Sequence, residues 1–85
     1  MVRVFVVKTV IDSETTDFKA FERRDDAKNW FLSASRQVGD QAVEFAALFH
    51  VPDCSDARKA VEAVKYGDEG VIILAQAPVK LEYLL

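Results

Sequence analysis

The apolar positions of this chain repeat alternately at the two-residue period of a strand and the 3.6-residue period of a helix. Val2 to Ile11, VRVFVVKTVI, is dominated by β-branched residues, which suit a pleated surface better than a helix, and reads as a strand. DSETT, Asp12 to Thr16, carries side chains that hydrogen-bond nearby backbone and favour a turn. In DFKAFE, Phe18 and Ala20 alternate with Lys19 and Phe21, which predicts an antiparallel return and hence a hairpin.

From Asp25 the period lengthens: Ala27, Trp30, Phe31, Ala34 and Val38 fall on one helical face, with Trp30 and Phe31 both expected in the core. Asp25 and Asp26 suit the positive end of the helix dipole, Asp25 itself is the candidate cap, and Gly39 is the candidate stop. A third strand is predicted over Gln41 to Val51. Val43, Phe45, Ala47, Phe49 and Val51 form its core face, opposite Ala42, Glu44, Ala46, Leu48 and His50. Pro52 is expected to end it.

Asp53 or Ser55 can cap a second helix whose narrow face is Ala57, Ala60, Val61 and Val64 and whose stop is Gly67. Arg58 with Glu62, and Glu62 with Lys65, have the spacings of charge pairs on a solvated helix surface. GDEG, Gly67 to Gly70, turns the chain into VIILAQA, whose unbroken apolar run is typical of a strand covered on both faces. After Pro78, VKLEYLL alternates Val79, Leu81, Tyr83 and Leu85 with Lys80 and Glu82; it reads as an edge strand or as a segment docked on a neighbour.

The resulting order, β-β-α-β-α-β, predicts an α+β fold in one domain spanning residues 1–85. The simplest packing is a two-layer sandwich in which a mixed sheet carries both helices on one face. That arrangement leaves an apolar sheet face over, because Val2, Val4, Val6 and Val10 on the first strand oppose Phe5, Val7 and Ile11. A large apolar face rarely stays in water. A homodimer that buries it, or a partner strand added at an edge, is therefore expected, with Val2, Val4, Val6 and Leu48 as interface candidates. On this reading Val4→Asp disperses the dimer. The competing arrangement is a strongly twisted sheet that curls on itself.

Composition narrows the partners. At 85 residues and 51% hydrophobic the chain is too apolar for disorder, yet short enough that its core is small or shared. A net charge of -3, with both signs mixed along the chain, gives no cationic footprint for nucleic acid or an anionic membrane. No stretch approaches the length of an apolar spanning helix. One cysteine allows no internal disulfide, and no basic segment leads into an apolar run, so the expected compartment is the cytoplasm, in a bacterial-type protein.

Candidate chemistry gathers in FAALFHVPDC, Phe45 to Cys54, which holds the single histidine, His50, four residues before the single cysteine, Cys54. The sharp reading is a site with His50 as general base, Asp53 orienting its ring, and Cys54 close by. Against it, a metal needs three or four ligands, the chain has no second His or Cys, and a catalytic thiol must be a stabilised thiolate. Structural roles for both rank first. Asp12, Glu14 and Asp17 lack the spacing and central glycine of a calcium loop. Arg23 and Arg24, with Lys19 and Lys28 nearby, could receive a carboxylate or phosphate, but Asp25 and Asp26 cancel much of that field. No metal or cofactor is expected.

Two functions follow. The first is a non-catalytic homodimeric module that binds a protein partner or a small molecule. The second is a small cofactor-free enzyme in which His50 and Asp53 form an acid/base pair in a pocket lined by Trp30, Phe45, Phe49 and Tyr83.

Overall fold

The computed structural model describes residues 2–12, 15–38 and 43–78. Its elements are β1 (Val2–Ile11), β2 (Thr15–Phe21), α1 (Arg24–Ser35), β3 (Val43–Cys54), α2 (Ala57–Tyr66) and β4 (Ile72–Ala77). The four strands form one open sheet in the order β2-β1-β3-β4, and with two helices the fold is α+β. All three pairings are antiparallel, so the sheet is not mixed. β2 and β3 run parallel to each other with β1 between them.

The expected two-layer packing does not occur, because the helices occupy opposite faces of the sheet. Phe5, Val7, Ala46 and Leu48 pack with Ala27, Phe31 and Ala34 of α1. Val4, Val6 and Val51 pack with Cys54 and with Ala60 of α2. Successive strand residues point to opposite faces, so these two clusters lie on either side of the sheet. The apolar surplus on β1 is thus absorbed within the chain: Val6 and Val7 are both 0% exposed, one under each helix. Full burial of such a side chain is worth about 1.5–3 kcal/mol.

Val4, Val6 and Leu48, expected on a dimer face, are buried core residues. They cannot meet a second copy without removing a helix. Val2 pairs with Cys54 at the backbone, in the first pairing of β1 with β3. The second set of β3 positions, read as non-core, is also covered, since Ala46 and Leu48 are buried. Small side chains at Ala27, Ala34 and Ala46 let α1 lie close to the sheet.

Pro52 does not end β3, which continues to Cys54. The register slips there: Val4 faces Val51 and Val2 faces Cys54, so Pro52 and Asp53 together oppose a single residue. A bulge tolerates a proline because its amide is not needed by the ladder. α1 begins after Arg23, whose side chain makes no capping hydrogen bond; Asp25 lies inside the first turn and is not the cap. The helix stops at Ser35, short of Val38. Phe31 is buried, but Trp30 is exposed, with Phe21 tilted 6.1 Å from its ring and Lys19 Nζ 5.2 Å above it.

The cap of α2 is Asp56, whose carboxylate accepts a hydrogen bond from the Lys59 amide at 2.9 Å; Asp53 and Ser55 precede it. Such a cap contributes about 1 kcal/mol. Gly67 ends α2 with a left-handed φ of 68°, and the Asp68 amide donates to the Ala63 carbonyl at 3.0 Å. On the outer surface Glu62 pairs with Arg58 at 3.7 Å and with Lys59 at 3.4 Å. Gly39, Gln41 and Ala42, and the alternating segment 79–85, lie outside the described residues.

Candidate functional site

The strand geometry separates the two residues that the sequence brings together. His50 is paired with Phe5 and stacks on its ring, 4.6 Å between centroids and 10° between planes. That places it on the α1 face. Cys54 belongs to the α2-side cluster, packed with Val51 and Ala60. The bulge at Pro52 and Asp53 does not bring them together. Asp53 is exposed, and His50 Nε2 is buried without a hydrogen-bond partner, so Asp53 does not orient the imidazole through that nitrogen.

The Cys54 thiol is buried, with Sγ 3.9 Å from the Val51 carbonyl oxygen. Burial pushes its pKa up, and the carboxylates of Asp56 and then Asp53 push it further. Two nearby anions are the reverse of what a nucleophilic cysteine needs. Folded protein should react with a soluble aromatic disulfide at neutral pH at least roughly tenfold more slowly than the unfolded chain does. Equal rates would show that the folded thiol is as accessible and as readily ionised as that of the unfolded chain.

The proposed pocket of Trp30, Phe45, Phe49 and Tyr83 is not assembled. Phe49 packs on the α2 side, Trp30 stands on α1 across the sheet, and Tyr83 lies outside the described residues. Among the described residues, no group of three or more His, Cys, Asp or Glu side chains is placed to hold a metal ion. Glu14, one of the three acidic turn residues, lies outside them.

What the fold leaves open is β4. Among the described residues it is the outermost strand of the sheet, paired on one side with β3. Ile72, Ile73 and Leu74 are 48%, 52% and 38% exposed. The apolar run VIILAQA predicts a strand covered on both faces, whereas neither helix reaches over it to hide these side chains. The other edge is different in kind: β2 carries Asp17 and Lys19, and α2 packs against it. No charged residue occurs from Val71 to Pro78.

On the α1 face of β4 the gap is a groove. One cavity of about 440 Å³ is lined by Phe31, Leu32, Leu48, Leu74 and Ala75 together with Arg24, Asp25 and Lys28. A second, of about 290 Å³, is more polar and is lined by Arg3, Phe5, Glu22, Arg24, His50 and Leu74. Both are lined by Arg24 and Leu74, so they adjoin. The sequence singled out Arg24 and His50 but offered no sign that they would meet. Their meeting depends on the β1–β3 pairing and on β4 lying next to β3.

No helix among the described residues is long and apolar enough to cross a membrane. Compared with known proteins, the chain matches no family model, no curated protein and no solved structure, so its function is read from its own residues.

Proposed function

We propose that the chain is a non-catalytic binding module of the cytoplasm that works as a homodimer, joined through the β4 edge. The observation that carries this reading is the uncharged outer strand with its three exposed aliphatic side chains. Edge strands of monomers are ordinarily guarded by charge or covered, as β2 is here; among the described residues β4 carries neither charge nor cover. An identical β4 can pair with it antiparallel, extending the sheet through main-chain hydrogen bonds, and no like charges face each other across the two-fold axis. The interface is thus an edge, not the face of Val2, Val4, Val6 and Leu48. The separation of His50, Asp53 and Cys54 weighs against the acid/base enzyme.

Native mass spectrometry and sedimentation velocity over a range of micromolar concentrations test the proposal. A reversible monomer–dimer equilibrium is expected, in which the outward-facing amide protons of residues 72–77, those that do not point at β3, gain protection from exchange as the dimer forms. A chain that stays monomeric throughout, or a dimer that leaves those amides unprotected, overturns it.

A further inference from the structure

We infer that the groove between α1 and β4 is a binding site for a small monoanionic amphiphile, a carboxylate with an apolar body, held by Arg24 and Arg3. The two adjoining cavities divide the chemistry: Phe31, Leu32, Leu48 and Leu74 offer an apolar bed, and Arg3, Arg24 and His50 gather where Leu74 ends it. Their volumes, about 440 and 290 Å³, are those of small-molecule pockets. Among the described residues the ion pairs lie on α2, and none engages Arg3, Arg24 or Lys28. These cations stand beside Glu22 and Asp25 without pairing with them. Three cations against two carboxylates leave the lining one positive charge in excess, which suits a monoanion and penalises a dianion such as phosphate.

Arg24 is the hinge of the arrangement. As the first residue of α1 it lines both cavities, so a planar carboxylate gripped by its guanidinium fork leaves the attached chain pointing along Leu74 towards Phe31 and Leu48. At the polar end, the buried and unpartnered His50 Nε2 is one more group without an internal hydrogen bond. The site lies within one chain and requires no second copy, so it does not rest on the dimer.

Sodium octanoate is the probe, titrated into the isotopically labelled full chain and followed by amide chemical shifts, with octan-1-ol and acetate as controls. Saturable shifts are expected at Arg24, Lys28, Leu48 and Leu74, with octan-1-ol and acetate each binding at least about tenfold more weakly because each lacks half of the recognition. Arg24→Gln, and separately Arg3→Gln, should weaken octanoate by about tenfold and leave octan-1-ol unchanged. Equal binding of octanoate and octan-1-ol, or shifts centred elsewhere, overturns the assignment. So does an apparent octanoate affinity that falls as protein concentration rises, which would give the groove to a second copy of the chain. The dimer is judged separately by sedimentation without octanoate, so either reading can fail alone.

Discussion

Val4→Asp should unfold the chain, not divide a dimer. Val4 lies beneath α2, packed with Val51, Cys54 and Ala60, and only 2% of it is exposed. A carboxylate there sits among apolar side chains and loses its water, a cost of several kcal/mol. A chain of this length has about 4–13 kcal/mol of stability in total. Most of that margin goes, and circular dichroism at neutral pH should show a largely unfolded or very easily denatured protein. The pH dependence has a definite sign. Burial raises the folded-state pKa of the introduced carboxyl above its unfolded value, so the variant recovers stability relative to the parent as pH falls and the acid becomes neutral. A variant that stays folded at neutral pH and merely becomes monomeric would instead show that this face is an interface.

That outcome separates two architectures which the alternating pattern of β1 does not distinguish. Apolar residues on both sides of Val4 to Val7 say that both faces are covered, and they are silent on what covers them. The expectation of one helical layer rests on the simplest packing of two helices against a sheet. Ala27, Ala34 and Ala60 are buried because a short side chain lets a helix axis approach the sheet, so one narrow helix suffices for each face. Periodicity is reliable where a single element decides it: the Phe31 face of α1 and the Gly67 stop of α2 lie where the spacing puts them.

It failed where a pairing decides. Pro52 looks like a terminator until the bulge that accommodates it is known, and His50 and Cys54 look like neighbours until that bulge and the two faces of β3 part them. The groove was hidden for the same reason. Arg3, Arg24 and Leu74 are far apart in sequence, and only the strand order brings them to one cavity. VIILAQA shows the opposite limit, because an apolar run predicts a covered strand without telling what covers it, and Ile72, Ile73 and Leu74 are exposed.

Ile72→Lys together with Ile73→Lys should abolish self-association and leave the fold intact. Ile72 stands opposite His50 and Ile73 opposite Phe49, so the pair places one ammonium on each face of the edge strand. Both parent side chains are about half exposed, and the lysine stems can keep the lost aliphatic cover while the charged ends reach water. The expected cost to the monomer is within about 1 kcal/mol, the range of exposed surface changes. Two copies brought edge to edge, however, would set four ammonium groups along one seam with no carboxylate from Val71 to Pro78 to answer them. The dissociation constant should rise on the order of a hundredfold or more, and partly recover at high salt as screening shortens the range of the repulsion. Sedimentation equilibrium in low and high salt, beside a thermal melt of each protein at a concentration where both are monomeric, reads the two effects apart. A dimer that persists with its affinity unchanged would remove β4 from the interface. Loss of the fold alongside loss of the dimer would mean that the strand's exposed aliphatic side chains hold the monomer together, leaving the edge with no surplus to offer a second copy.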